Sequence, residues 1–330
     1  MNEFFKGILD GINLLFGNYG WSIIVFTFLV RLVLFPFDYK SRVSMRKTTK
    51  IQPQIAALQK KYANDKDKLN NKMAELYKKE KINPLSSCLP MLLTWPLLIA
   101  MFTAMRMVAN EQLVQQAFDI LMGNQPVLES WLWIKNLWMA DSPFAAAWPD
   151  LASLQQIPAD VWQAGFAALG DQAANLPAEL ALTADSFTAA NLQGTIQNLF
   201  ATLSAMPAYV EHVAKLPGWS FNLIITVLDV YKNYNGWFLL PILSAVSQYL
   251  MTALQPTQPA ADNKQQQSTN NFMKWFFPLF SLFLCFSYSA AFALYWVASN
   301  LITMAQTYGI NWYLDRKEKQ AETIGEGTVK

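Results

Sequence analysis

The chain has 330 residues but only one histidine and two cysteines. With His212 as its sole imidazole, there is no material for a histidine-built zinc site or a Ser–His–Asp arrangement. Cys88 and Cys285 both lie in apolar stretches, where they read as small core residues and not as a disulfide or metal pair. No glycine-rich loop runs into Lys-Ser or Lys-Thr, which removes a P-loop nucleotide site. No acid–base or metal cluster stands out either, so no cofactor is expected and a membrane-bound enzyme is poorly supported. Charge is scarce as well: Asp, Glu, Lys and Arg make up 15% of the residues, against about a quarter in soluble domains. Hydrophobic residues make up 53%. This is the composition of a membrane protein.

About 20 apolar residues cross a hydrocarbon core of about 30 Å. Four regions meet that measure or come near it. Residues 18–38 and 86–106 are the first two predicted spans, and 236–254 is the third. The apolar stretch 271–314 would make a helix of about 66 Å, roughly twice a bilayer. It must therefore fold back, and Ser287-Tyr-Ser-Ala290 is the expected bend, giving spans at 272–287 and 290–314. Residues 39–85 carry thirteen Lys and Arg against four acids, whereas 107–235 has three lysines and eleven acids. By the positive-inside rule the first segment and the 315–330 tail are cytoplasmic and 107–235 is outside. The expected fold is thus all-α, with five transmembrane helices, N-terminus out and C-terminus in.

Between the spans, helical spacing of Ile51, Ile55, Leu58 and Tyr62, and of Leu69, Met73, Leu76 and Tyr77, predicts a cytoplasmic helical hairpin within 39–85. Its basic surface suits anionic lipid, ribosomal RNA or an acidic protein. The loop 255–271 is rich in Gln, Pro and Asn and reads as flexible. Residues 1–17, without a recognisable cleavable signal, read as an interfacial amphipathic helix. An extra stretch near 144–231 reads as short extracytoplasmic helices, dispensable for assembly of the spans, with Trp148, Trp162 and Trp219 at the headgroups or capping the bundle.

Arg31 is the one charge inside the first apolar run. A cation there is costly and faces a wet cavity or a partner rather than lipid. Thr27 shares its helix face; Ser244, Ser247 and Gln248 share one in the third span, and Asn300, Thr303 and Gln306 do so in the fifth. Side chains at these spacings can line one wet cleft, or serve as hydrogen-bonding glue between helices worth roughly 0.6 kcal/mol each. A small transporter or channel with Arg31 as its anion site is the alternative, but no repeat relates the halves and the basic arm has no use in transport.

Several short motifs, taken in order, resemble the YidC/Oxa membrane protein insertases. They are Thr27-Phe-Leu-Val-Arg31 with Pro36, Ile51-Gln-Pro-Gln-Ile55, and Lys81-Ile-Asn-Pro-Leu85 running into Cys88-Leu-Pro90 and Pro96. Trp133-Ile-Lys-Asn-Leu-Trp138 with Asp141 follows, then Leu240-Pro-Ile-Leu243, Gln255-Pro-Thr257, and Leu294-Tyr-Trp-Val-Ala-Ser-Asn300 with Gln306. The resemblance implies a bacterial cell-membrane chaperone that draws hydrophilic tails of nascent membrane proteins into a groove. That groove would be lined by Arg31, Thr27, Ser244, Gln248, Asn300, Thr303 and Gln306, with Tyr295 and Trp296 touching the substrate segment. It implies the ribosome and signal recognition particle receptor as partners of the basic hairpin and tail, together with the Sec translocon and membrane lipids. The chain departs from the family in showing no large N-terminal extracytoplasmic domain or lipoprotein cysteine, in its Ser-Ala bend, and in the stretch near 144–231.

Overall fold

The computed structural model describes residues 2–82, 89–222, 227–254 and 264–327. Cys88, the Asn-Pro-Leu end of the Lys81–Leu85 motif, Gln255-Pro-Thr257 and the start of the 255–271 loop lie outside the described residues. The principal helices are α1 (Asn2–Phe16), α2 (Tyr19–Lys50), α3 (Gln52–Lys61), α4 (Lys66–Lys79) and α5 (Leu89–Leu121). After these come the short helices α6 (Leu151–Gln155), α7 (Ala159–Leu169), α8 (Leu192–Ala205) and α9 (Pro207–His212). Strands β1 (Lys215–Asn222) and β2 (Val227–Tyr231) precede α10 (Leu239–Leu254), α11 (Lys264–Ser287) and α12 (Ala290–Gly327). Among the described residues, two helices are long and apolar enough to cross a membrane, Tyr19–Lys50 and Pro96–Leu121; Leu239–Ala253 and Phe272–Ser287 are shorter apolar helices.

The helices outrun the predicted spans. α2 continues past residue 38 to Lys50 because no Gly or Pro interrupts 39–50, and Lys47 and Lys50 in its last turn suit the negative end of the helix dipole. The hairpin is correspondingly shorter than 39–85. α5 does not stop at 106; it runs on to Leu121, and Gly123, two residues beyond its end, turns the chain with a positive φ of 78°. α11 is helical from Lys264, so residues 264–271 are not the loop expected over 255–271, and α12 extends into the expected tail as far as Gly327.

The chain divides into two compact units. The first comprises Met1–Phe26, Ala100–Ser244 and Ser281–Trp296. Its organising element is the loop 129–141, on which three helices begin. The Glu129 carboxylate accepts from the Tyr19 backbone N–H at 2.9 Å, at the start of α2. The buried Asp141 carboxylate accepts from the backbone N–H groups of Leu240 at 2.7 Å and Phe238 at 3.2 Å, at the start of α10, and from the Trp133 indole. The carbonyls of Met139 and Leu137 accept from Ala290 and Ala291 at the start of α12. These backbone N–H groups lie in a first helical turn or, for Phe238, just before one, where no intrahelical carbonyl is available. Asn136 and Asn235, both fully buried, interlock beside them: Asn235 Oδ1 accepts from the Asn136 N–H at 2.7 Å, and Asn235 Nδ2 donates to the Asn136 carbonyl at 2.8 Å. Two glycines permit the close approach. A Cβ on Gly236 would lie 2.0 Å from Asp141 Oδ1, and one on Gly20 would lie 2.2 Å from the Trp131 ring.

The same unit holds the stretch near 144–231, and here one expectation fails. It is not wholly helical: β1 and β2 form an antiparallel hairpin pairing Phe221 with Leu228 and Asn222 with Val227, with an irregularity between Lys215 and Ser220 where Gly218 takes a φ of 79°. The β-branched and aromatic content of these strands favours pairing over helix. The stretch also packs closely on α5. Trp162 stacks on Phe187 at 5.8 Å and meets Phe118 of α5 edge-on at 5.7 Å. Gly165 of α7 lies so close to α5 that a Cβ there would come within 2.4 Å of Val114 Cγ1. The apolar residues 113–121 extend α5 because they have this cover. Trp148 and Trp162 are therefore core residues, and of the three tryptophans only Trp219 is exposed.

The second unit comprises Thr27–Ile99, Ala245–Phe280 and Val297–Lys330. It contains the arm, in which α3 starts with Pro53 in its first turn and Asp65 caps α4 by accepting from the Lys68 N–H at 3.0 Å. Ile51, Ile55, Leu76 and Ile82 are buried together, with Leu58, Met73 and Tyr77 packed on them. So small a core gives low local stability. Amide exchange in α3 and α4 should be faster than in α12 by orders of magnitude; equal protection would contradict this reading of the arm.

Candidate functional site

In the second unit α2 and α12 run parallel, joined by polar side chains at a nearly constant offset. Arg31 Nη2 donates to Ser299 Oγ, and the Arg31 carbonyl accepts from Gln306 Nε2 at 3.1 Å. Lower along the same seam, Arg42 Nη2 donates to Thr307 Oγ1 at 2.8 Å. Arg46 pairs with Asp315 at 2.7 Å, and Lys50 with Glu318 at 3.0 Å. The spacing of 31, 38, 42, 46 and 50 keeps these residues on one face of α2. On its other side α12 meets α10, where the Asn300 amide donates to Ser247 Oγ at 3.1 Å and to Gln248 Oε1 at 3.3 Å.

The charges along this seam are not treated alike. Arg46 and Lys50 are neutralised by carboxylates, whereas half-buried Arg31 is held by a hydroxyl, with no carboxylate within 4.0 Å among the described residues. A neutral partner fixes the position of a guanidinium without cancelling its charge. Such a group can attract a further anion, and the low-dielectric surroundings strengthen the attraction.

The structure brings together Arg31, Gln248, Asn300, Thr303 and Gln306 in one unit, with Thr27 buried in the same helix as Arg31. The Thr303 hydroxyl is directed back to its own helix, donating to the Ser299 carbonyl at 2.7 Å. Ser244 departs from the expectation. It belongs to the other unit, is fully buried, and donates to the Pro241 carbonyl at 2.7 Å, because a serine near a helix start readily back-bonds to its own turn. Tyr295 and Trp296 also fall in the first unit; Tyr295 is buried, and Trp296 packs on Phe292 at 5.6 Å. Sequence reasoning missed Ser299, Asp38, Arg42 and Thr307. The helical period held the signal, since Ser299, Thr303 and Thr307 recur every fourth residue and Asp38 stands two turns beyond Arg31 on the same face.

Comparison with known proteins agrees with this arrangement of motifs. A family model described as 60Kd inner membrane protein matches residues 11–172 and 194–318, leaving only 173–193 unmatched between them. Most of the stretch near 144–231 is therefore matched and not extra. The chain is 26% identical over 314 residues to the membrane protein insertase YidC of Ralstonia nicotianae, spanning 95% of this chain and 36% of that protein. It is 26% identical over 317 residues to that of Chlorobaculum tepidum, spanning 96% of this chain and 37% of the relative. With that of Fusobacterium nucleatum the identity is 41% over 106 residues, or 32% of this chain and 52% of the relative. The chain thus spans 36% and 37% of the two relatives it matches almost end to end.

Proposed function

This chain belongs to the 60Kd inner membrane protein family, the YidC/Oxa insertases, and from that premise we propose that it inserts nascent membrane proteins into the bilayer. In this reading a hydrophilic tail of the substrate is drawn into a polar groove around Arg31, while the apolar segment that follows leaves sideways into lipid. Hydrophobic partition of that segment drives the step, so no nucleotide is consumed. The observation that carries the reading is the state of Arg31: a half-buried guanidinium fixed by Ser299 and not neutralised by an ion pair. One carboxylate of a tail at about 4 Å, with an effective dielectric of about 20, gains roughly 4 kcal/mol before desolvation. This is enough to draw in a short tail and little enough to release it.

The five-pass arrangement, N-terminus out and C-terminus in, belongs to the same proposal. It is supported by the loop 129–141, where α2, α10 and α12 begin and the bend after α11 arrives. Three parallel helices require α5 and α11 to run the other way. The exposed Leu14, Leu15 and Phe16 of α1 fit an interfacial position for that helix. Ribosome, signal recognition particle receptor and Sec translocon are proposed partners, the first two on the basic faces of α3, α4 and the end of α12.

Reconstituted into vesicles, Arg31→Ala should insert acidic-tailed substrates at least tenfold more slowly, following the charge-pair estimate above. Arg31→Lys should lose less, and neutral tails should be affected least. Unimpaired insertion of acidic tails by Arg31→Ala would dispose of the electrostatic groove. Deleting 53–79 should lower insertion of ribosome-bound substrates several-fold while leaving the purified bundle's melting temperature unchanged. A matching fall in that temperature would make the arm part of the bundle.

A further inference from the structure

Arg106 is the only charged residue between Leu89 and Asn110 of α5. It is exposed, and among the described residues no carboxylate lies within 4.0 Å of it. Its Nη2 donates to the Gln156 carbonyl at 3.4 Å, which leaves most of its five N–H groups for another partner. Arg106 lines a cavity of about 220 Å³ that lies wholly within the first unit, between α5, α6 and the bend 287–289. Asp150 lines the same cavity. Its Oδ1 accepts from the Ser153 N–H at 2.8 Å, while its Oδ2 accepts no hydrogen bond among the described residues. Asn110 lines it too; it is 8% exposed, and its side-chain amide makes no hydrogen bond among the described residues. A buried amide without a partner is uncommon and calls for a ligand or water.

The cavity is also graded from apolar to polar. Phe102, Arg106 and Asn110 follow one another at four-residue steps on one face of α5. At the Phe102 end the walls are aromatic: this ring meets Tyr288 edge-on at 5.0 Å and Phe292 at 5.2 Å. Beyond Asn110, α5 carries Glu111, Gln112, Gln115 and Gln116, so its most apolar run ends at the cavity. The apolar helix Phe272–Ser287 ends there as well, with Ser287 and Tyr288 in the lining. Two apolar helices that finish at one level mark a membrane surface, where lipid head groups lie.

We propose that this cavity holds the head group of a phosphatidylethanolamine molecule, its phosphate on Arg106, its ammonium on Asp150 and its acyl chains leaving past Phe102 into the bilayer. The charges select this ligand. A lone anion would meet Arg106 but be repelled by Asp150, and a lone cation would face the reverse conflict. A zwitterion answers both, through charge-assisted hydrogen bonds at each end. Asn110 adds a neutral donor and acceptor for the phosphate or the ester groups. A soluble zwitterion would gain nothing from the aromatic end, whereas a lipid buries its first methylenes there. The bound lipid would tie α5 to the bend between α11 and α12. The site goes beyond the insertase reading and does not require it.

The test is lipid retention, read by native mass spectrometry on the full chain in detergent with equal amounts of phosphatidylethanolamine and phosphatidylglycerol. The unaltered protein should retain one phosphatidylethanolamine about threefold to fivefold more readily than phosphatidylglycerol, the range expected of an exposed ion pair. Asp150→Asn keeps the cap on α6, since asparagine caps as well as aspartate, but removes the charge that opposes an anionic head group. Its preference should move towards phosphatidylglycerol. Arg106→Gln should lose the retained lipid of either kind. Retention without preference in the unaltered protein, or the same preference in Asp150→Asn, would overturn the proposal. A folding defect cannot imitate the expected result, because Asp150→Asn is read as a change of selectivity and not as a loss. Glycerophosphoethanolamine, offered alone, separates head group from lipid. It should not be retained, and binding as tight as the lipid's would make this a site for a soluble ligand and overturn the assignment.

Discussion

Asp141→Ala should destabilise the protein by about 3–5 kcal/mol, as the sum of a lost cap and buried donors left unpaired. The fully buried carboxylate serves the Leu240 and Phe238 backbone N–H groups and the Trp133 indole at once. Alanine removes the acceptor for all three and supplies no water in exchange. Asp141→Asn should lose nearly as much, since an amide NH2 turned towards these N–H groups repels them. Gly236→Ala tests the same contact from the other side, because its Cβ would fall within 2.0 Å of Asp141 Oδ1. The measurement is thermal unfolding of the detergent-purified protein. A melting temperature within a degree of the unaltered protein's for Asp141→Ala would mean that the loop does not hold the start of α10.

Trp162→Ala should cost about 3–5 kcal/mol, the range for deleting a buried aromatic side chain. The indole fills the space between Phe187 and Phe118, and α5 carries Phe118. The loss should therefore register in α5 as well as locally, with faster amide exchange across 113–121. Trp162→Phe, which refills much of the volume, should recover about half. If the mutation loosened only 151–205 and left 113–121 fully protected, the extension of α5 would be stable without its cover, and this account of α5 would fail.

The membrane character, the arm, the bend at 287–290 and the isolation of Arg31 were legible because each leaves a local mark: an apolar run, a helical period, a change of charge. Helix ends were not. α2 and α12 pass well beyond the apolar stretch because Arg42, Arg46 and Lys50 find Thr307, Asp315 and Glu318 across the seam, a tertiary pairing invisible to a hydropathy window. Ser299 escaped notice because a serine beside Asn300 in an apolar helix gives no sign of which neighbour it bonds. Asp38 was counted at the end of a span and not as part of the polar face, although its distance of seven residues from Arg31 placed it there. The β1–β2 hairpin was missed because its residues, between amphipathic helices, alternate too irregularly around Pro217 and Gly218 to show a period of two. The three tryptophans show the same limit: burial of Trp148 and Trp162, but not Trp219, depends on which partners the fold delivers.

The loop that caps three helices also sets an order in time. Tyr19 waits for Glu129, which is 110 residues later in the chain, and Asp141 waits for Leu240, 99 residues later again. α2 thus emerges from synthesis with its first N–H groups unserved, and α12 completes the set only when Ala290 reaches the Met139 carbonyl. Contacts this distant in sequence bear the full entropy of loop closure before they return anything. The junction consequently cannot close in full until the chain has been made as far as Ala291. Until it does, the protein that would help others into the membrane is itself an unfinished membrane protein.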